Sequence, residues 1–220
     1  MSRPTVVVFD VNETLSDLTP MGQRFADVGL PEWTAKTWFT ALLRDGFALA
    51  AAGSADRFVT IAEETLRDIL AGTASDLDAA VEHVLSGFLE LPVHPDVPDG
   101  VRALSASGAR LVTLSNGSTE VAERLLASAG IREHFERLLS VDGAGIWKPA
   151  PGAYAYAART CSADPATMML VAVHPWDIDG AKRAGMRTAW ITRRGQRYPN
   201  HFLAPDYSTA TLSELADSIT

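Results

Sequence analysis

Asp10 follows five consecutive β-branched or aromatic residues, Thr5-Val6-Val7-Val8-Phe9. The run has no polar alternation, so it reads as a strand buried on both faces. It stops abruptly at a carboxylate. In an open parallel sheet, ligands sit just beyond the carboxyl ends of the strands. Asp10 therefore stands where an attacking group belongs, with Thr14 one short loop further on; the alternative is that Asp10 only caps a turn. Three more reactive side chains take equivalent positions. Ser115 follows a strand read over 110–114, Asp177 lies a few residues past one at 169–173, and Lys148 falls in the loop after one at 138–141. A parallel sheet lines such ends up along one edge, so residues far apart in sequence can converge. A nucleophilic carboxylate, a hydroxyl donor, an ammonium and a second carboxylate make a coherent site. Ser115 and Asp177 can also cap the helices that follow them, a role compatible with anion binding at helix N-termini. The alternative for Lys148 is a solvated loop lysine.

The elements that must position these groups are regular. Between residues 16 and 92 the pattern is helical. One block covers 32–52, between Pro31 and Gly53, a second covers 57–70 and ends at Gly72, and a third begins after Asp76. The third sets Val81, Val84, Leu85 and Phe88 on one face. Three amphipathic helices without a strand form a module inserted after the first strand. Three prolines in Pro92-Val93-His94-Pro95-Asp96-Val97-Pro98 suit a stiff linker back to the main domain. From Asp99 onward α and β alternate: helices over 101–107, 119–129 and 153–160 and one ending at Gly185, strands at the positions already given, a further strand over 188–191 and a weak edge strand near Tyr207. The fold expected is α/β, a mostly parallel, Rossmann-like sheet with helices on both faces. Residues 1–15 and 93–220 form its core domain, and 16–92 form a helical cap over the carboxyl edge.

Composition bounds the function. The 220 residues are 47% hydrophobic and 21% charged, ordinary globular material. No apolar run approaches a membrane span, and no signal-peptide pattern precedes the first strand. The net charge of −8 argues against nucleic acid as a partner. A single cysteine, Cys161, excludes an internal disulfide and fits a reducing, cytoplasmic compartment; it reads as a packed thiol. Phe9 and Trp190 read as core strand residues, and Trp33 and Trp38 as cap-helix packing. Arg193 and Arg194, after the last strand, read as solvated loop residues near the site edge.

The stretch Asp10-Val11-Asn12-Glu13-Thr14 resembles motif one of the haloacid dehalogenase superfamily, whose phosphatase members carry Asp-x-Asp-x-Thr. The second Asp, which protonates a leaving alkoxide, is Asn12 here. A halide leaves without a proton, so the substitution points to the branch that cleaves carbon–halogen bonds. Leu114-Ser115-Asn116-Gly117-Ser118 looks like motif two of the bacterial 2-haloacid dehalogenases, Lys148-Pro149 like motif three, and Trp176-Asp177 like the Trp-Asp of motif four. Tyr154 sits where that family has a tyrosine. The resemblance covers nearly the whole chain. It implies that Asp10 displaces halide from a 2-haloacid, leaving an aspartyl ester, and that Asp177 and Lys148 help water hydrolyse it. Ser115 and nearby amides would hold the substrate carboxylate, with Asn116 on the halide side. It implies no metal and no cofactor, a small anionic substrate and a homodimer.

Two departures matter. The family's Ser-x-Asn before the Trp-Asp is Ala172 and His174 here, and His174 is either a polar substitute, donor and acceptor at once, or a turn residue. The family's halide-binding Arg follows a Trp by two residues; here Trp38 is followed at that spacing by Thr40. Arg44, one helical turn on, is the expected replacement, the alternative being a surface arginine. Two other readings stay open. A phosphatase would need magnesium, yet the chain has Asn12 for its acid and Val173 for a ligand. The scaffold could also serve as a non-catalytic binding protein.

Overall fold

The computed structural model describes residues 3–73, 75–193 and 195–219. Strand β1 (Val6–Phe9) is wholly buried at the centre of a six-stranded sheet. The other strands are β2 (Arg110–Ser115), β3 (Phe135–Ser140), β4 (Met168–Ala172), β5 (Arg187–Ile191) and β6 (Tyr207–Thr209). Their order is β3-β2-β1-β4-β5-β6, and every pairing is parallel. The weak edge strand near Tyr207 is present as β6.

Side chains alternate across a strand, and this divides the core into two layers. Val6 and Val8 pack towards α7 (Pro151–Cys161) and α8 (Pro175–Arg183), through Ala153, Tyr154, Ala157, Ile178 and Ala181. Val7 and Phe9 pack towards α5 (Val97–Ala106), α6 (Thr119–Ser128) and α9 (Leu212–Ile219), through Val101, Leu104, Leu125 and Leu215. Both faces of β1 are covered, which is why its sequence shows no alternation.

Among the described residues four helices, not three, lie between β1 and α5: α1 (Met21–Asp27), α2 (Thr34–Ala51), α3 (Phe58–Leu70) and α4 (Leu77–Gly87). Helix α1 escapes a reading by period because it is two turns long, contains Gly22 and has no side-chain N-cap. The insertion has an aromatic centre of its own. Trp38 meets Phe25, Phe39 and Phe88 at ring separations of 5.7–6.5 Å, and its indole N–H donates to the Ala62 carbonyl. Losing one such aromatic costs about 3–5 kcal/mol.

The chain leaves and re-enters the sheet domain side by side. Ser16 and Val93 form an antiparallel bridge, Asp17 N–H donates to the Pro92 carbonyl, and His94 N–H donates to the Leu15 carbonyl. The expected stiff linker is shorter than read from its prolines. Helix α5 begins at Val97 and takes Pro98 into its first turn, where a missing N–H costs nothing. Strand β3 begins at Phe135, three residues before the expected start, and lies at the sheet edge with Glu136 and Arg137 both exposed. Among the described residues no helix is long and apolar enough to cross a membrane.

Candidate active site

Parallel register brings the strand ends level. Phe9 pairs with Thr113 on one side and Val171 on the other, so Asp10, Ser115 and the start of α8 share one edge. The backbone holds Asp10 there, its N–H donating to the Val171 carbonyl. Lys148 arrives from the loop after β3 and is fully buried. Its ammonium donates to Asp10 Oδ1 at 2.9 Å and to Asp177 Oδ2 at 2.6 Å. One buried ammonium bonded to two carboxylates compensates most of their charge, and removing it would leave both carboxylates in low dielectric without a cation. The solvated-lysine alternative does not hold.

Each group has further support. Thr14 Oγ1 donates to Asp10 Oδ2 at 2.6 Å and accepts from Val173 N–H at 3.1 Å, tying nucleophile loop to strand end. Tyr154 donates from its hydroxyl to Asp177 Oδ1 at 2.6 Å. Ser115 Oγ accepts from Gly117 N–H at 2.9 Å, which leaves its own proton to donate. The Asn116 amide grips the Lys148 backbone, accepting from Lys148 N–H at 3.0 Å and facing its carbonyl at 3.4 Å. In this structure it braces the lysine. Trp176 packs edge-on against Phe47 of α2, ring centroids 4.8 Å apart, and Lys148 Nζ lies 5.9 Å from its centroid. Asn12 is buried, and its side-chain nitrogen lies near Gly117.

Electrostatics separates the two aspartates. Burial pushes Asp10 up, but Lys148, the charge of His174 and the hydrogen bonds from Thr14 and Lys148 outweigh it and hold Asp10 below the usual carboxylate range. Asp177 goes the other way: burial and the neighbouring Asp10 charge raise it against the pull of Lys148 and Tyr154. Environments that push two carboxyls apart assign them different work. Asp10 is held as the carboxylate, and Asp177 binds a proton more readily. Burial works against the ammonium of Lys148, yet the two aspartates raise it overall, so it keeps its charge. Burial, then Asp177, raises Tyr154 well above the phenol range, so it stays a donor.

His174 stands at the N-cap of α8, its ring stacked on Trp176 with centroids 4.9 Å apart. Its Nε2 lies 3.1 Å from the Asn12 carbonyl and 3.7 Å from both Asp10 Oδ2 and Glu13 Oε2. It is thus part of the cluster, not merely a turn residue. Two neighbours carry no sequence signal of their own. Glu13 holds a left-handed backbone, φ 61°, and its carbonyl accepts from His94 Nε2 at 3.0 Å. Trp147 stacks on Phe58, ring centroids 5.9 Å apart, and donates to the Asp56 carbonyl, fixing the lysine loop to the insertion.

Arg44 is not brought to the cluster. It pairs with its neighbour Asp45 at 2.7 Å, its side chain is 71% exposed, and Asp68 of α3 acts on its charge. Leu42 and Gly46 face inward, and a residue two positions from each points away from that face. The physical reason is helix phase. Arg193 also departs from expectation: its guanidinium is largely buried, pairs with Asp96 and donates to the Thr14 carbonyl at 2.7 Å. Arg194 lies outside the described residues. Cys161 is a buried free thiol, pushed up by burial, and Trp38 packs as expected.

The residues do not fit a magnesium ion. Lys148 Nζ already occupies the space between the two carboxylates, Val173 offers no ligand, and among the described residues no three metal-binding side chains converge.

The comparisons with known proteins follow the same residues. A profile for haloacid dehalogenase-like hydrolases matches residues 4–185, a span that contains Asp10, Ser115, Lys148 and Asp177. The (S)-2-haloacid dehalogenase of Pseudomonas sp. strain YL is 32% identical over 161 residues, covering 73% of this chain and 69% of the relative. The (S)-2-haloacid dehalogenase H-109 of Pseudomonas putida is 27% identical over 215 residues, covering 96% of each chain. A crystal structure of a dehalogenase with an intermediate complex superposes with a TM-score of 0.92 at 25% identity, covering 100% of this chain and 98% of that one. Profile, relatives and strand-end carboxylates agree: the chain belongs to the haloacid dehalogenase-like hydrolase family.

Proposed function

We propose that this hydrolase cleaves the carbon–halogen bond of short 2-haloacids and releases 2-hydroxy acids. The observation that supports it most is the buried Asp10–Lys148–Asp177 triad, in which one carboxylate is held ionised and the other is raised. An Asp10 oxygen attacks the halogen-bearing carbon; the carbon–oxygen bond forms as halide departs with the bonding electrons. Thr14 and Lys148 aim the carboxylate. Water then attacks the carbonyl carbon of the new ester and gives a proton to Asp177. Lys148 offsets the charge that develops on the acyl oxygen. The acyl–oxygen bond breaks, and the product alkoxide takes a proton. Asp10 regains a carboxylate with one oxygen from water, and one proton leaves per turnover.

Ser115 and the Gly117 region offer donors to the substrate carboxylate, while Phe47 and Trp176 supply an apolar wall. In this reading, residues 16–92 are the cap over a core of 1–15 and 93–220. No metal takes part, since an ammonium fills the place between the carboxylates. Cytoplasmic location suits the buried thiol of Cys161. A homodimer would cover Trp33, which is 68% exposed.

Halide release from a panel of short 2-haloacids, with a chelator present, tests the reading. Release is expected to survive the chelator and to fall by about 10⁴-fold or more in Asp10→Asn. No release from any member of the panel overturns it.

A further inference from the structure

The site is short of positive charge for an anionic substrate. Among the described residues, the one permanent cation in the cluster, Lys148, is already shared between Asp10 and Asp177, and a third carboxylate, Glu13, faces His174. A haloacid adds another negative charge. Arg44 faces solvent, and Arg193, which reaches the nucleophile loop at the Thr14 carbonyl, is paired with Asp96. His94 touches the same loop at the Glu13 carbonyl, but burial, then Arg193, hold it below the usual imidazole range, so it is neutral at neutral pH.

His174 has the geometry the others lack. A carbonyl only accepts, so the contact with Asn12 places a hydrogen on Nε2. Two carboxylate oxygens, from Asp10 and Glu13, face that nitrogen at 3.7 Å. The ring lies flat on Trp176, which also forms the wall shared with Phe47. A substrate carbon in reach of Asp10 is therefore in reach of the field of this imidazole. A second proton, on Nδ1, turns the ring into a cation without disturbing the bond to Asn12.

We propose that His174 is the group that recognises the substrate's negative charge, so that a haloacid anion binds together with a proton carried by His174. The inference rests on the haloacid reading above. An imidazole can gain or lose a proton, whereas an arginine keeps its charge. Substrate affinity then depends on pH, and chemistry on bound substrate does not follow the same dependence. The groups facing His174 are Asp10 and Glu13 from the loop after β1, with Lys148 behind Asp10, His94 behind Glu13, and Asp177 on its own helix.

KM and kcat for 2-chloropropionate are measured from pH 6 to 9 in the wild-type enzyme and in His174→Asn and His174→Lys. In the wild type, KM rises with pH while kcat stays level. The Asn variant has a high KM that is flat with pH, and the fixed charge of the Lys variant restores a low, flat KM. Propionate, which has no leaving group, is bound to the wild type by calorimetry in two buffers of different ionisation heat. Net proton uptake on binding, of at most one proton per site, is expected. A wild-type KM flat with pH, or propionate binding without proton uptake, overturns the inference. The propionate measurement needs no turnover. An enzyme that releases no halide but takes up a proton with propionate, and loses that uptake in His174→Asn, loses the haloacid reading and keeps His174 as the anion-recognising group; uptake unchanged in His174→Asn overturns the inference.

Discussion

The carboxyl edge of the sheet and the helical insertion meet beside the Asp10–Lys148–Asp177 cluster but are built differently. At the sheet edge, polar groups are buried and each has more than one partner: Lys148 spans two carboxylates, Thr14 joins Asp10 to Val173, and Tyr154 holds Asp177. The insertion approaches with apolar surface, Phe47 on Trp176 and Gly46 and Phe58 on Trp147, while Arg44 is turned to solvent. The difference teaches that the two parts obey different constraints. Parallel register fixes strand ends to within a residue. A helix can rotate its neighbours into or out of the pocket by about 100° per position, and only its packing decides which face is in.

The largest blow to that comparison comes from the sheet edge. Lys148→Met leaves Asp10 and Asp177 buried without their cation, and a loss of about 3–5 kcal/mol in urea unfolding is expected at neutral pH. The loss shrinks in acid, because without the ammonium both carboxyls shift upward, Asp10 from its lowered position and Asp177 from its raised one, and they then take up protons in the folded state and shed their charge. A variant as stable as the wild type would mean that the triad is not a closed unit. Next comes the contact between the two regions. A Cβ on Gly46 would stand 2.3 Å from the Trp147 ring, so Gly46→Val costs about 1–3 kcal/mol in thermal melting. Combining it with Trp147→Leu should cost less than the separate effects added together. Simple additivity would show that the insertion is free to move off the lysine loop.

Smaller effects sharpen the contrast. Tyr154→Phe removes a donor that favours ionised Asp177, so kcat falls by about tenfold. Asp177 must be ionised to accept the water proton. Losing the donor raises it further, and the acid limb of kcat moves to higher pH; a limb that stays put or moves down would detach Tyr154 from the base. Arg44→Ala is expected to leave kcat/KM within about twofold, as for other exposed pairs. A tenfold loss would bring Arg44 into the pocket and erase the distinction between the regions.

The same contrast explains what could be read from the sequence. Asp10 and Ser115 were legible because an apolar strand that stops at a polar residue marks the carboxyl edge, whereas Lys148 and Asp177, further along the loops after their strands, were marked by the Lys148-Pro149 and Trp176-Asp177 pairs. The two-layer α/β plan followed from the same alternation. Arg44 was misplaced because a reading by spacing knows that residues four apart share a face, but not that Leu42 and Gly46, two positions to either side of Arg44, own the inward one. Glu13, His94 and Trp147 gave no signal: their places depend on a left-handed residue in one loop and on which loops meet in space. Helix α1 was too short for its period to show.

One feature of the fold bears on how such an enzyme changes over generations. The polypeptide departs at Ser16 and returns at Val93 as bonded neighbours, held by Asp17 N–H on the Pro92 carbonyl and His94 N–H on the Leu15 carbonyl. Seen from the sheet, everything between is a closed excursion from one stitch. The entropy of closing such an excursion grows only with the logarithm of its length, so helices can be lengthened, exchanged or lost there at little cost to the rest. The pocket wall is in effect a replaceable cassette, and selection can retune what fits beside Asp10 without rebuilding the chemistry underneath.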